Sequence, residues 1–169
     1  MSSTRTAIAC SSSSSFDVIR RGNPQDVRFL KDMLRHAFYW RSAGMVEDAS
    51  LWRYVAGWGR RGDAAVIALE GGFPVGAAWY RLFTPDEPGF GFVDDQIPEM
   101  AIAVVPSRRG HGVGTELLDA LVGLAREQGY QGLSLSVADD SPAQHVFEKQ
   151  GFEKVEQTDH SWTMRLNLS

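Results

Sequence analysis

Cysteine and long apolar segments are both scarce in this sequence of 169 residues. Cys10 is the only cysteine, which excludes an intramolecular disulfide and a metal site built from several cysteines. A chain without disulfides fits a reducing compartment, so we predict a cytoplasmic location. The longest apolar runs, such as Met100 to Pro106, are far too short to span a bilayer, and the sequence therefore predicts no membrane segment.

Positively charged residues are also fewer than negatively charged ones. The chain has 17 lysines and arginines and 21 aspartates and glutamates, which gives a formal net charge of −4. Proteins that bind nucleic acids usually need a basic face for the phosphates, so this balance argues against a nucleic-acid partner. A neutral or cationic partner fits better. The four histidines show no metal-ligand spacing, and we predict no metal site.

The composition predicts one folded domain behind a flexible tail. Hydrophobic residues make up 43% and charged residues 22% of the chain, close to globular averages, and the length is sufficient to bury a core. Residues 1–15 are rich in serine and lack the apolar region of a signal peptide. We therefore predict a flexible tail over residues 1–15 and a single domain over residues 16–169.

Hydrophobic periodicity, turn residues and helix caps predict the order of helices and strands. In chain order the predicted elements are a strand at Phe16–Arg20, a helix from Asn23, a helix over Glu47–Trp58, a hairpin of Ala64–Leu69 and Pro74–Leu82, a loop at Thr84–Pro98, a strand at Met100–Val105, a helix over Thr115–Gln128, a strand at Leu133–Val137, a helix that opens with a capping box at Ser141–Gln144 and closes at Gly151, and a last hairpin that ends with Trp162–Leu168. This order predicts a mixed sheet with helices on its faces.

Three alternating glycines, at positions 110, 112 and 114, join the strand at Met100–Val105 to the helix at Thr115–Gln128. Glycine lets the backbone approach a ligand closely and turn its N–H groups toward it. The N-terminus of a helix offers unpaired donors and the positive end of the helix dipole, which together favour an anion such as a pyrophosphate. Arg108 and Arg109 add positive charge. The segment therefore predicts a phosphate-binding loop.

Two other phosphate-binding loops fit this segment less well. A P-loop requires a lysine between the last glycine and the hydroxyl residue, whereas Gly114 is followed directly by Thr115. The dinucleotide fingerprint requires a different glycine spacing and an acid at the end of the next strand, which Leu133–Val137 does not supply. A nucleotide-binding module stays open as an alternative, and its affinity for ATP or NAD would exceed its affinity for CoA.

Two ordered motifs resemble the signatures of the GNAT superfamily of N-acetyltransferases. Arg109-Gly110-His111-Gly112-Val113-Gly114 resembles the Arg/Gln-x-x-Gly-x-Gly/Ala signature, and Ile102-x-Val104-x-Pro106 is similar to the strand before it. Asp140-x-x-Ala143-x-x-Phe147-x-x-x-Gly151-Phe152 is similar to the second signature, Asn-x-x-Ala-x-x-Tyr-x-x-x-Gly-Phe. The likeness covers about residues 17–168 by element order and about residues 99–152 by motif.

The resemblance implies an α/β (α+β) fold with a mixed, mostly antiparallel sheet of six to seven strands and helices on both faces. It also implies that acetyl-CoA lies between the strands at Met100–Val105 and Leu133–Val137, and that the acetyl group passes directly to a bound primary amine of a small molecule, peptide or protein. Backbone groups of Ile102 and Val104 would pair with the pantetheine arm, and amides from Arg109 to Thr115 would hold the pyrophosphate. The implied cofactor-binding residues are Ile102, Ala103, Val104, Arg109, Gly110, His111, Gly112, Val113, Gly114, Thr115, Asp140, Ala143 and Phe147.

Several side chains have both a functional and a structural interpretation. Glu99 begins the motif strand, where the family often places the carboxylate that takes a proton from the attacking ammonium, but a solvated acid at a strand start is the alternative. His111 either contacts a phosphate or faces water. Six aromatic residues of the first two helices either wall an acceptor pocket, as in the family, or pack in the core: Phe38, Tyr39, Trp40, Trp52, Tyr54 and Trp58.

Two departures from the family pattern leave a second function open. Asp140 stands where asparagine is usual, and Phe147 stands where a tyrosine often protonates the departing CoA sulfur. The alternative is therefore a CoA-binding regulatory module that has lost catalysis. Four acids of the predicted loop, Asp86, Glu87, Asp94 and Asp95, favour a positively charged acceptor if the protein is an enzyme. A homodimer is a further possibility, because dimers are the commonest symmetric oligomers.

Overall fold

Seven β-strands form one sheet in the computed structural model, which describes residues 18–38, 49–158 and 160–168. The strands are β1 (Val18–Arg21), β2 (Ala64–Glu70), β3 (Phe73–Arg81), β4 (Glu99–Val104), β5 (Gly132–Ala138), β6 (Glu153–Thr158) and β7 (Ser161–Asn167). They lie in the order β1-β2-β3-β4-β5-β7-β6, and β4 with β5 is the parallel pair among antiparallel neighbours. The predicted mixed, mostly antiparallel sheet of six to seven strands is confirmed.

The described helices are α1 (Val27–Ala37), α2 (Ala49–Trp52), α3 (Val113–Glu127) and α4 (Ala143–Gln150). The predicted cap before α1 is present, although a 3-10 turn at Pro24–Asp26 comes first. The side chain of Asn23 accepts from Gln25 N at 2.8 Å, and Asp26 accepts from Asn23 N at 2.8 Å. None of the helices in the described ranges is long and apolar enough to cross a membrane.

Two hydrophobic cores lie on opposite faces of the sheet, as the prediction of helices on both faces requires. On one face α3 and α4 pack on the sheet, and the buried side chains there include Leu117, Leu121, Leu135, Phe147 and Met164. On the other face the sheet is covered by α1 and the turn after α2, with Leu30, Leu34, Tyr54, Ile67 and Trp79 among the buried side chains. Successive side chains of the central strands point to opposite faces of the sheet, so they pack alternately in one core and in the other.

The predicted helix over Glu47–Trp58 is wrong beyond Trp52, where α2 ends and residues 53–57 form turns. Side chains of β3 take carbonyls that a longer helix would need for itself. Arg81 Nη1 donates to the carbonyls of Arg53 and Ala56 at 2.9 and 2.7 Å, and the indole of Trp79 donates to that of Tyr54 at 3.1 Å. Glu47, the tail at 1–15, Phe16, Tyr39 and Trp40 lie outside the described residues.

The predicted capping box at Ser141–Gln144 is also wrong, although the helix itself is present. Gln144 is buried and its amide donates to the carbonyls of Ala138 and Asp139 at 2.9 and 2.8 Å, so it does not bond back to the cap. The hydroxyl of Ser141 accepts from Ala143 N at 3.1 Å. The predicted end of the helix is confirmed, because Gly151 caps α4 with a φ of 108°.

Candidate active site

The central feature of the site is a split in the sheet between β4 and β5. These strands pair at one position, Glu99 with Ser134, and the carbonyl of Pro98 accepts from Ser134 N at 3.0 Å. Beyond this point the two strands separate around a cavity of about 460 Å³. The wall of the cavity comes from both strands, the end of α1, the glycine loop, α3 and α4.

The exposed main-chain groups of β4 point into this split at every second residue. The carbonyl of Pro98 faces β5, and backbone groups of alternate residues in a strand point the same way. The N–H and C=O groups of Ile102 and Val104 are therefore directed toward the cavity. A ligand with amide groups can pair with them as an added strand would.

The glycine loop closes the wide end of the split. Gly110 and Gly112 have φ angles of 82° and 86°, which favour glycine, and both line the cavity. A β-carbon on either residue would have no other atom within 4 Å, so the loop has open space beside it. Gly112 is the N-cap of α3, which begins at Val113, two residues before the predicted start. The N-terminus of this 15-residue helix therefore lies at the cavity and suits an anion.

The positive charge at this end comes mainly from Arg109. Its side chain lines the cavity, and its Nε donates to the carbonyl of Val104 at 3.1 Å. The neighbouring Arg108 forms an ion pair with Glu70 on β2, so part of the predicted charge is compensated. His36 at the end of α1 also lines the cavity; burial, followed by the positive charge of Arg109, lowers the pKa of its imidazole.

Phe147 belongs to the wall formed by α4. The side chain is 6% exposed and packs in the same core as Val137, with its ring centroid 5.8 Å from that of Phe152. It lines the cavity on the face of the sheet that α3 and α4 cover. A phenyl ring at this position offers packing and no proton.

Glu99 is 1% exposed, so its interpretation as a solvated surface acid is wrong. Its Oε2 accepts from the hydroxyl of Tyr54 and from Gly91 N, the latter at 2.9 Å. Phe90 N in turn donates to the hydroxyl of Tyr54 at 2.8 Å. The loop before β4 therefore lies directly over this carboxylate.

Two glycines allow that loop to come so close. A β-carbon on Gly89 would collide with the carboxylate of Glu99, and one on Gly91 would lie 2.5 Å from the carbonyl carbon of Leu135. The loop thus packs against both strands where they begin to separate. It borders the narrow end of the split.

Most predicted cofactor residues meet at the cavity. Its wall contains Ile102, Ala103, Val104, Arg109, Gly110, Gly112, Gly114, Thr115, Ala143 and Phe147. The other predicted residues lie outside the wall: His111 and Asp140 are exposed, Val113 is buried in the core, and Glu99 lies beneath the loop. No group of three or more histidine, cysteine or acidic side chains in the described ranges could hold a metal ion.

Sequence reasoning missed the wall residues that no motif marks. These are His36, Ala37, Met100, Ala101, Leu118, Leu135, Ser136, Val137, Ser141, Pro142 and Val146. Positions on β4 and β5 could have been found, because the residues of two strands that separate around a ligand all lie beside it. His36 and Ala37 had no signal of this kind, since they come from the end of a distant helix, whereas Phe38 was named in advance and both lines the cavity and packs in the core beneath α1.

Comparison with known proteins identifies the family. Residues 28–152 match the model of the acetyltransferase (GNAT) family, which is most of the chain. The chain belongs to the GNAT family of acetyltransferases. The resemblance read from the motifs is thus confirmed. The chain has no match among the curated proteins.

Solved structures with the GNAT fold are similar to this chain over most of its length. The structure of yncA from Salmonella typhimurium, which contains acetyl-CoA as its cofactor, is 20% identical with a TM-score of 0.69, and the match covers 90% of this chain and 94% of yncA. A phosphinothricin acetyltransferase from Sinorhizobium meliloti in complex with acetyl-CoA is 20% identical with a TM-score of 0.62, covering 89% and 88%. A ribosomal-protein-alanine N-acetyltransferase from Brucella melitensis is 23% identical with a TM-score of 0.65, covering 89% and 99%. At these identities the likeness is one of fold.

Proposed function

We propose that this chain is an acetyl-CoA-dependent N-acetyltransferase that transfers the acetyl group directly to a primary amine of a small molecule, peptide or protein. The observation that carries the proposal is the split between β4 and β5, which runs from the Glu99–Ser134 pair to the glycine loop. A pantetheine arm contains amides, so it can pair with the main chain along such a split. Family membership and the two neighbours solved with acetyl-CoA support the same donor.

The direction of the bound donor follows from the two ends of the cavity. The pyrophosphate belongs at the glycine loop, where the N-terminus of α3, open space beside Gly110 and Gly112, and Arg109 favour an anion. The arm then runs back along β4, where the four residue steps from Val104 to Met100 span about 13 Å. This direction brings the thioester to the narrow end of the split, near the Glu99–Ser134 pair.

We assign the role of general base to Glu99. It lies at the narrow end of the split, where the thioester is expected, and it is held in place by Tyr54 and Gly91. Because Glu99 is not in the cavity wall, the proton of the incoming ammonium would reach it through water. The acids Asp86, Glu87, Asp94 and Asp95 of the loop before β4 are exposed, which supports a cationic acceptor.

A screen of amines tests the proposed function. The protein is mixed with acetyl-CoA and a panel of amino acids, polyamines, other small cationic amines and peptides with free N-termini, and released CoA thiol is measured. We expect at least one amine to release CoA well above the rate of hydrolysis. A protein that binds acetyl-CoA but releases no CoA with any amine would instead be the regulatory module that Phe147 suggests, and higher affinity for ATP or NAD than for CoA would identify a nucleotide-binding module.

The Glu99→Gln substitution tests the general base. We expect kcat at neutral pH to fall by about a hundredfold or more, while the Kd for acetyl-CoA changes little, since general-base assistance contributes at least that much. The glutamine oxygen can still accept from Gly91 N, so the covering loop should stay in place. The loss should shrink at alkaline pH, where the acceptor is already a neutral amine. Near-normal kcat at neutral pH would reduce Glu99 to a structural residue that holds the loop.

A further inference from the structure

Ser136 on β5 lines the cavity, and its hydroxyl has no partner among the described residues. The Oγ atom of Ser136 is shielded from solvent and has no hydrogen-bond partner among the described residues. Ser136 itself lines the cavity. Leaving a buried hydroxyl unpaired is unfavourable, and buried polar groups in folded proteins nearly always have a partner. The partner expected here is therefore a group of the bound ligand.

The position of Ser136 places this hydroxyl close to the expected thioester. Ser136 is two residues beyond Ser134, the last residue at which β5 pairs with β4. The peptide bond that precedes its side chain lies against the covering loop, since a β-carbon on Gly91 would be 2.8 Å from Ser136 N. The hydroxyl therefore lies at the narrow end of the split, where the donor's reactive end is expected.

The side chain of Ser136 also faces the side of the sheet from which Glu99 acts. Leu135 and its neighbours two residues away on β5 pack in the core beneath α3 and α4. Side chains alternate along a strand, so Ser136 points to the opposite face. Glu99 points to that face as well, because its partner Tyr54 belongs to the core beneath α1. Ser136 and the proposed base therefore share the acceptor side of the split.

We propose that Ser136 is a catalytic residue whose hydroxyl contacts the sulfur of bound acetyl-CoA and passes a proton to it during transfer, an inference that rests on the proposed function. The amine nitrogen forms a bond to the acetyl carbon, and the bond between that carbon and sulfur breaks. The nitrogen gives a proton to Oγ of Ser136 while the hydroxyl gives its own proton to the sulfur. Ser136 is unchanged at the end, and CoA leaves as a neutral thiol.

The other hydroxyls of the described wall are less suited to this step. Thr115 lies at the start of α3, at the phosphate end of the cavity. Ser141 already accepts a hydrogen bond from Ala143 N at the start of α4. Phe147, where a proton donor is usual in the family, has no proton to give. Ser136 is therefore the hydroxyl that fits the narrow end.

Ser136→Ala is the direct test, and Ser134→Ala is its matched control. Ser134 lies on the same strand and the same face, and its buried hydroxyl also lacks a partner among the described residues, but it is not in the cavity wall. We expect Ser136→Ala to lower kcat by about tenfold to a hundredfold, at or below the low end of general acid catalysis, because a thiolate leaves readily. The Kd for acetyl-CoA should stay within about threefold, and Ser134→Ala should keep the native kcat.

A double variant separates proton transfer from packing. A tyrosine hydroxyl at position 147 would approach the sulfur from the opposite face, so Phe147→Tyr should restore much of the activity lost in Ser136→Ala and help the native protein less. Unchanged kcat in Ser136→Ala, or a weakened Kd with unchanged kcat, would overturn the proposal while the proposed function stands. A native protein that binds acetyl-CoA and acetylates no amine would show that both are wrong.

Discussion

At the residue scale, Phe147 raises the question of whether the protein needs a dedicated acid. The leaving group is a thiolate, and an ordinary thiol has a pKa of about 8.5, so its expulsion at neutral pH needs little help. A missing acid therefore costs less here than it would for an alkoxide. The phenyl ring keeps a packing role, since it is 6% exposed and contacts Phe152 in the core under α4.

We predict measurable acetyl transfer by the native protein and only a modest gain from Phe147→Tyr. The gain in kcat should be less than roughly a hundredfold, the low end for acid catalysis, because the leaving thiol needs little assistance and Ser136 already supplies a proton. The measurement is the kcat ratio of the two proteins with the best acceptor found. A native protein that acetylates none of the amines, together with a Phe147→Tyr variant that is active, would contradict this prediction and favour the regulatory module.

The residues of the site differed in how far the sequence could predict them. Gly110 and Gly112 were predictable, because a positive φ beside a ligand is a local requirement that glycine alone meets without strain. The burial of Glu99 was not, because its partner Tyr54 comes from a turn 45 residues earlier in the chain. No sequence pattern marked Ser136 as a functional residue, since a serine within a strand usually indicates an ordinary solvent-facing position. Its role depends on the separation of two strands, which is a tertiary feature.

At the element scale, the proposed binding of the donor depends on the junction of the glycine loop with α3. Gly112 caps the helix with a φ of 86° and lines the cavity, so it combines a backbone requirement with closeness to the ligand. The two requirements can be separated by comparison with Gly72 in the β2–β3 turn. Gly72 has a φ of 85°, and a β-carbon there would also meet no atom within 4 Å.

We predict that Gly112→Val abolishes acetyl-CoA binding and that Gly72→Val does not. Each valine adopts a left-handed backbone conformation at a cost of about 1–2 kcal/mol, so the two variants should lose similar stability. Only at position 112 does the new side chain fill space that the pyrophosphate needs. Thermal melts of both variants with and without acetyl-CoA measure the effect. Equal ligand-induced shifts in the two variants would place the pyrophosphate elsewhere.

The elements that sequence patterns predicted correctly are those with local signals. Gly151 ends α4 in the left-handed conformation, and apolar periodicity marks α3. The two errors arose where long-range hydrogen bonds replaced local ones. The side chains of Arg81 and Trp79 on β3 donate hydrogen bonds to the carbonyls after α2. The amide of Gln144 donates to a carbonyl at the end of β5 instead of bonding to its own helix cap.

At the scale of the whole molecule, the proposed function depends on a sheet that is divided at the only parallel pair among the described strands. Antiparallel pairing holds β1–β4 together on one side and β5–β7 on the other, and the two halves meet at Glu99 and Ser134. The core beneath α3 and α4 contains side chains from both halves of the sheet, which holds the two halves together beside the split. The order of elements predicted this mixed sheet, whereas the motifs and their family resemblance were needed to predict where it opens.

The measurement that tests the central claim most directly is a thermal melt of the native protein with acetyl-CoA. A ligand that binds only the folded state adds about 2.7 kcal/mol at a hundredfold excess over its Kd. For a domain of this size that corresponds to a rise in Tm of about 5–10 °C. We predict a rise of this order with millimolar acetyl-CoA and a smaller one with ATP or NAD. An unchanged Tm with acetyl-CoA would contradict the claim that the split between β4 and β5 is its binding site.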